Sequence, residues 1–565
     1  MGSANHVGEM ASEVTEVNAH TLNNEFHGPT SSLAFLAAIQ KHSNRQTQPS
    51  LSNIHLSDDH HPSSLVSTFH NETFSPISAT CTNTDWQLLS ANTFYFRQSP
   101  QFLPGYFQNL HYIHPFVDRE GFYVKCEDIW FGRSGKHGRS FIALYYAIMS
   151  LGALTREWDE DTPKTMTRFD WSRKMFRLAT VALGDFPGPN DLESVQACII
   201  MAKVCQNELN PNLAYMYLGH AIRTSLSAGY NRRSPTPGIR DPEISRTWWG
   251  LFSLEIETSF ALGRPDSLGN DIYHSRPLPE VEESTTAIIT CMVELAKIVR
   301  RVSTSVYLSD DGLPDKLRTA EEIDFELEKW IGGLPEIIRP SLLETTDDDT
   351  RLTSKIPVWA NRQGHTLLFR YYNIKMVLYR PFLLYTAHRG TEPGGNFDEA
   401  VTKCVSAASK TIELMNYMLS NFSYFRTWWY NTTYTLYAAS IIIFYAQKSA
   451  TLPELHGLLC LIRMSVDILL VMDQNIVARK AADLVQKASL RIRERESRTT
   501  HLDPAHRSHS DTRGSSAEDP DEIPGPAFAE IPYDPFDEDQ LDFMAQLFPL
   551  SADDDFMWSE INNPA

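Results

Sequence analysis

The chain has 565 residues, with 50 Lys and Arg against 70 Asp and Glu, 42% hydrophobic and 21% charged residues. That length accommodates three or four domains or one large helical body, and the composition is that of a soluble globular protein. A net acidic chain does not as a whole grip nucleic acid, which calls for a basic surface. The excess is also local, since residues 518–565 hold 14 Asp and Glu and no Lys or Arg.

In chain order, residues 1–94 read as mostly disordered. Between Lys41 and Ser90 there are 10 Ser and 6 Thr and little apolar periodicity, too little to offset the entropy of ordering. One island, residues 28–40, predicts a short helix capped by Ser31 or Ser32. Leu33, Leu36 and Ile39 lie on one side of it, and it is too short to stand without docking on the body. Residues 95–490 read as helix after helix. Phe141, Leu144, Tyr145, Ile148 and Leu151 recur at the helical period, as do Val195, Cys198, Ile199, Ala202 and Cys205. A helix from Leu213 to Ala228 stops at Gly229. The next has Asp241 as N-cap, Pro242 at its first position and Gly263-Arg264-Pro265 at its end. Trp248 and Trp249 lie between these signals, in a helix apolar on most sides and so expected to be buried. Later helices are expected over Leu367–Tyr379, closed by Arg380-Pro381, then Glu399–Leu419, Trp428–Gln447, Leu455–Met472 and Ile476–Arg495. A polar loop covers Glu344–Ser354. Arg491, Arg493, Arg495 and Arg498 end the last helix, residues 491–530 form a linker, and 531–565 an acidic, aromatic segment. The expected fold class is all-α, one large multi-helix domain with disordered flanks.

Little in the sequence points to catalysis or to metal. No GxxxxGK[ST], GxGxxG after a strand, HExxH or GxSxG is present. Seven cysteines without a CxxC exclude a sequence-local zinc site, give no sign of a disulfide framework, and fit a reducing compartment. His60 and His61 lie in low-complexity sequence. His111 and His114 read as packing histidines, and Cys198 and Cys205 as small buried hydrophobes. The Asn-x-Ser/Thr triplets at Asn71, Asn421 and Asn431 mean little without a secretory route, and the first residues do not form a signal peptide. The longest apolar run, Thr433–Ala446, is too short to span a bilayer, so no membrane partner is expected.

The C-terminal segment carries the sharper signal. Asp534 and Pro535 can start a short helix that sets Leu541, Met544, Ala545 and Phe548 on one stripe. Phe536, Phe543 and Leu547 complete its apolar anchors, and the acidic residues between them keep it soluble. A merely solubilising tail would not need seven aromatics in 48 residues, because each exposes apolar surface at a cost. This composition is that of a transcriptional activation segment that inserts into a coactivator's apolar groove.

Several motifs then resemble, in order, the regulatory or middle homology domain of fungal zinc-cluster transcription factors. They are residues 106–118, 143–153, 194–197 with 217–223, 228–232, Arg246–Glu255, Leu262-Gly263-Arg264-Pro265 and Leu378–Leu383. Gly28 to Leu36 resembles a short motif that family members place ahead of this domain. The resemblance implies a nuclear regulator of RNA polymerase II transcription, expected to serve a secondary-metabolite gene cluster or, alternatively, carbohydrate-catabolic genes. The family carries an N-terminal six-cysteine zinc cluster that has no counterpart here, so no residue is assigned to zinc or to base contacts, and no cofactor is expected. Two readings stand: an upstream exon that encodes the cluster is missing from the sequence, or the protein lacks its own DNA-reading module and acts as a partner or corepressor of a zinc-cluster factor, through homo- or heterodimers. Trp248, Trp249, Gly263, Arg264, Pro265, Arg380 and Pro381 are expected to be structural, with Arg264 bonding helix-terminal carbonyls or the carboxylate of Glu255 or Glu257. The domain is expected to restrain or release activation in response to small ligands or partner proteins.

Overall fold

The structure, a computed structural model, describes residues 13–20, 24–47, 64–74, 93–131, 138–157, 166–184, 189–234, 238–279, 284–340, 356–389, 397–428, 431–448, 452–472 and 475–501. Sixteen α-helices and two short strands lie among them. The all-α expectation holds. The predicted loop over 344–354, His60, His61, Cys81 and the whole segment 531–565 with Phe536, Leu541, Phe543, Met544, Leu547 and Phe548 lie outside the described residues.

The chain begins with an antiparallel pair, β1 (Val14–Val17) and β2 (Asn24–His27), in the register Val14 to His27 and Val17 to Asn24. Sequence reading passed over these strands because four residues are too few to show a period of two. Helix α1 (Ser32–Thr47) follows, then one turn, α2 (Leu65–Thr68). The Ser31 hydroxyl accepts from the Ala34 amide at 3.1 Å, so the predicted cap is the observed one. Ala34, Phe35, Leu36 and Ile39 are buried, which docks α1 on the body.

The body runs α3 (Thr93–Phe107), α4 (Arg119–Phe131), α5 (Arg139–Thr155), α6 (Arg168–Leu183), α7 (Leu192–Asn207), α8 (Pro211–Ser227), α9 (Asp241–Leu262), α10 (Ala287–Val302) and α11 (Leu313–Gly332). It continues with α12 (Val358–Arg389), α13 (Asp398–Asn421), α14 (Asn431–Lys448), α15 (Leu452–Val471) and α16 (Ile476–His501). Local chemistry sets many of the ends. Thr167 with Asp170 starts α6 and Asp191 with Ser194 starts α7, each as a reciprocal capping box. Gly229 and Gly263 adopt φ of +72° and +66° just past α8 and α9, the left-handed geometry that a β-carbon disfavours. Chain neighbours pack on each other, α5 on α6, α7 on α8, α9 on α10, α12 on α13 and α15 on α16. One continuous apolar core extends from Phe35 to Ile492. Among the described residues no helix is long and apolar enough to cross a membrane.

The helix expected over Leu367–Tyr379 is too short at both ends, since α12 begins at Val358 and runs to Arg389. Arg380-Pro381 does not close a helix, because α12 continues through Pro381 to Arg389. A helical proline lacks the N–H that would bond the carbonyl four residues back, which here is that of Val377. The Tyr307 hydroxyl donates to that carbonyl at 2.6 Å and so removes the reason to stop. The same repair recurs in α3, where the Ser99 hydroxyl bonds the Phe96 carbonyl that Pro100 cannot serve. Tyr307→Phe should therefore cost about 1–3 kcal/mol, the penalty of an unpaired buried carbonyl, measured by urea denaturation. Amide exchange should quicken around 377–385. An unchanged midpoint would mean that α12 tolerates Pro381 for another reason.

Candidate functional site

Three stretches that sequence reading singled out separately meet at one junction. At the end of α9 the Gly263 amide bonds the Phe260 carbonyl at 3.0 Å and the Arg264 amide bonds that of Ser259 at 2.8 Å, a Schellman closure around the left-handed Gly263. Two carbonyls at this helix end also accept from the N-terminal segment: Leu262 from the Gly28 amide at 2.8 Å, and Phe260 from the Thr30 hydroxyl. Backbone meets backbone here. A β-carbon on Gly28 would lie 1.8 Å from the Gly263 oxygen, and one on Gly263 would lie 2.2 Å from the Gly28 carbonyl carbon.

The two arginines of the predicted motifs hold the same segment. The Arg264 Nε donates to the Phe26 carbonyl at 2.7 Å and its Nη1 to Asn212 Oδ1 at 2.8 Å, with the guanidinium 5.0 Å from the Tyr215 ring centre. This corrects the expectation for Arg264, whose side chain bonds neither its own helix end nor Glu255 or Glu257. The turn at Gly263 aims it at β2, Glu255 takes the Ser267 amide and hydroxyl instead, and Glu257 takes Arg370. The Pro265 carbonyl accepts the Tyr215 hydroxyl at 3.2 Å, bracing the same turn. Arg380, 1% exposed, donates to the Pro29 carbonyl at 2.8 Å and to the Tyr437 hydroxyl. Its guanidinium lies 4.9 Å from the Phe35 ring centre and 5.4 Å from those of Tyr307 and Tyr437.

Trp248 and Trp249 are buried, as expected, but lie away from this junction. Trp248 packs on His274 with ring centres 5.0 Å apart, and Trp249 Nε1 donates to the Pro277 carbonyl at 3.0 Å. The other candidates take their structural readings. Burial pushes His111 down to about 4, holds His114 well below the ordinary histidine value, and pushes the Cys198 thiol up to about 12. Asn71 is buried and donates to the Glu208 carboxylate at 3.1 Å, out of reach of any modifying enzyme in the folded chain.

Beneath the docked segment lies a cavity of about 250 Å³. Thr30, Ser31, Ser32, Leu33 and Leu36 form one wall, and α7, α9, α10, α12 and α14 supply most of the rest. The lining is largely aliphatic with Phe69, Phe260, Tyr434 and Tyr437 among it, and it has one polar side. There the Lys203 ammonium donates to Gln206 Oε1 at 2.8 Å, Gln206 in turn to the Thr258 hydroxyl at 3.0 Å, and Arg370 holds Glu257 at 3.0 Å. Lys203 and Arg370 are only 3% and 4% exposed. Sequence reading missed this polar side. A trace of it was there, because Lys203 is the single charged residue between Val195 and Gln206.

Burial lowers the Lys203 ammonium from its ordinary 10.5 to about 8, against the pull of Glu257 and with the push of Arg370. Between those two pH values the unfolded chain keeps a proton that the folded chain has released, so stability rises with pH across this window. Relative to Lys203→Met, in which the other titrations cancel, the natural chain should gain about 3 kcal/mol through it. Denaturant titrations at either end of the window measure this, and parallel curves for the two proteins would refute it.

Among the described residues no three His, Cys, Asp or Glu side chains converge to hold a metal ion. The zinc that the family resemblance implies thus has no fitting ligand set in the described part. What the geometry defines is a helical body with a docked N-terminal strap and a cavity behind it. Comparison with known proteins finds that residues 103–332, from α3 to the last residue of α11, match the fungal specific transcription factor domain. The chain is 25% identical over 342 residues to activator of stress genes 1 of Saccharomyces cerevisiae, matching 56% of this chain and 34% of that protein. It is 21% identical to activator of stress genes protein 1 of Candida albicans, matching 55% and 36%. It is 24% identical over 396 residues to the terreic acid cluster-specific transcription factor atF of Aspergillus terreus, matching 60% and 59%. The matched stretch thus spans about a third to three fifths of these curated relatives.

Proposed function

We propose that the chain is a nuclear regulator of RNA polymerase II transcription rather than an enzyme, and that it serves a secondary-metabolite gene cluster. The family match over α3 to α11 carries the regulatory reading. The cluster assignment is supported by the even, two-sided coverage of the match to atF. A carbohydrate-catabolic role, the alternative that the family resemblance implies, is the second reading. In this division of labour the helical body regulates and residues 531–565 recruit a coactivator through Phe536, Leu541, Phe543, Met544, Leu547 and Phe548.

The test is a reporter assay with the full chain fused to a heterologous DNA-binding domain. Replacing Phe536, Leu541, Phe543 and Phe548 with Ala keeps every charge and removes the anchors, and should lower the signal roughly tenfold or more, as loss of interface anchors does. A full signal from the substituted chain would locate activation elsewhere. Transcript profiling of a deletion strain decides between the two target sets, since loss of one co-regulated biosynthetic cluster is expected and loss of sugar-utilisation transcripts would favour the second reading.

A further inference from the structure

We propose that the cavity behind the strap is a binding site for an uncharged lipophilic alcohol or phenol, with its apolar body among Leu36, Met292, Leu295, Val299, Val377 and Leu436 and its hydroxyl at the carboxamide of Asn373. Size, lining and hydrogen-bonding capacity each point this way. A dry apolar cavity of about 150 Å³ accepts a benzene, so 250 Å³ accepts a body of roughly ten carbon atoms. Left empty, its walls forgo dispersion contacts that a close-packed interior otherwise makes. The aliphatic part of the lining excludes a free sugar or a nucleotide, whose many hydroxyls or phosphates would find too few partners there.

The polar part of the lining selects the rest of the ligand. Its charges are already engaged. Arg370 holds Glu257 at 3.0 Å, and the Lys203 ammonium donates to Gln206, which donates in turn to Thr258. A charged ligand would lose its hydration and have to draw one of these groups from a standing partner, so the site suits a neutral one. Most of the uncharged polar side chains are also taken up within the protein. Thr30 and Ser253 donate to the Phe260 and Gly250 carbonyls, and Ser31 accepts from the Ala34 amide. Thr432 donates to Met472 Sδ, Tyr437 accepts from Arg380, and Tyr434 has a partner as well. Thr433 is exposed to solvent, and His27 Nε2 lies 3.7 Å from a Glu25 carboxylate oxygen.

Ser32 and Asn373 remain, both lining the cavity and neither hydrogen-bonded among the described residues. Asn373 lies on α12 between Arg370 and Val377, and its carboxamide offers donors and an acceptor together. A hydroxyl both donates and accepts, so it answers the carboxamide in full. A ketone answers the donors alone, and an amine, cationic at neutral pH, would lie beside Lys203 and Arg370.

The strap forms a wall of this cavity through Thr30, Ser31, Ser32, Leu33 and Leu36. A ligand seated there adds contacts to the docked strap and none to a lifted one, so its binding favours docking by differential affinity. This inference concerns the cavity alone. It stands or falls apart from the activity of residues 531–565, which the reporter assay reads separately.

The experiment uses the purified full chain at neutral pH and three probes that share one ring body: 2-naphthol, naphthalene and 2-naphthoate. Equilibrium dialysis should give one saturable naphthol site, about threefold or more tighter than naphthalene, the margin of one net hydrogen bond. Naphthoate should bind roughly tenfold or more weakly than naphthol. Amide exchange over residues 28–36 should slow when naphthol is bound. Asn373→Leu should keep naphthalene binding and bring naphthol to within about twofold of it, and Ala296→Phe, which fills the cavity from the α10 side, should abolish both. No saturable naphthol binding, naphthoate binding as tight as naphthol, a hydroxyl preference that survives Asn373→Leu, or naphthol binding that survives Ala296→Phe would each overturn the proposal. The two variants act on different walls, so a folding failure of one leaves the other to decide.

Discussion

Gly28→Ala is expected to lift residues 24–40 off the body, a large effect for the addition of one methyl group. The new β-carbon would sit 1.8 Å from the Gly263 oxygen and 2.7 Å from its carbonyl carbon. Both are backbone atoms of a helix end fixed by its Schellman bonds, so neither has a rotamer to escape into. The strap must move, and with it go the Gly28 and Thr30 bonds to α9, the Arg264 bond to Phe26, the Arg380 bond to Pro29 and the burial of Phe35, Leu36 and Ile39. The lost apolar burial and hydrogen bonds exceed the chain entropy regained, and a net loss of about 2–4 kcal/mol is expected. Gly263→Ala should do the same and cost about 1–2 kcal/mol more, since its φ of +66° also disfavours a side chain. Gly219 is the control. It lies inside α8 with nothing within 4 Å of its would-be β-carbon, so Gly219→Ala should be neutral or stabilising by up to about 1 kcal/mol. Hydrogen exchange over 24–40 with thermal unfolding reads all three. Native-like protection of 28–36 in Gly28→Ala would show that the close approach does not hold the strap.

Local chemistry is legible in the sequence. Pro242 and Gly263 place α9, though Asp241, expected as its N-cap, is its first helical residue; Ser31 places α1, and the ends of α13 to α15 fall within about three residues, because caps and apolar period act over one or two turns. What escaped was set by partners far along the chain. Pro381 reads as a stop until Tyr307, 70 residues before Val377, supplies that carbonyl with the missing donor. Arg264 reads as a helix-end cation, yet its acceptor is a carbonyl 238 residues away. Gly28, Gly263, Arg264 and Arg380 stand in separate motifs, and their shared contact with one strap is invisible until the chain folds. The cavity left the faintest trace of all, because Leu295, Val299 and Val377 look like any core residues. Only Lys203, a lone charge on an apolar helix, hinted that a polar wall was needed there.

Arg380 offers the second large effect and separates two accounts of a buried cation. It is 1% exposed, and no carboxylate lies within salt-bridge distance of it among the described residues. Three ring faces and two oxygens, the Pro29 carbonyl and the Tyr437 hydroxyl, receive it instead. If charge alone mattered, Arg380→Lys would retain most of the stability. The geometry argues otherwise. An ammonium is compact and strongly hydrated, lacks the planar fork that spans both oxygens, and stacks poorly on three rings. Arg380→Lys is therefore expected to cost about 3 kcal/mol, as much as or more than Arg380→Met, which leaves the oxygens unpaired but buries no charge. Because part of that loss is the bond to Pro29, the cost should shrink by about 1 kcal/mol when Gly28→Ala has already lifted the strap. A double-mutant cycle in urea reads the coupling. Strict additivity would mean that Arg380 serves the packing of α12 and α14 alone and that the strap is held without it, whereas the expected coupling makes Arg380 the link between the C-terminal helices and the segment that closes on α9.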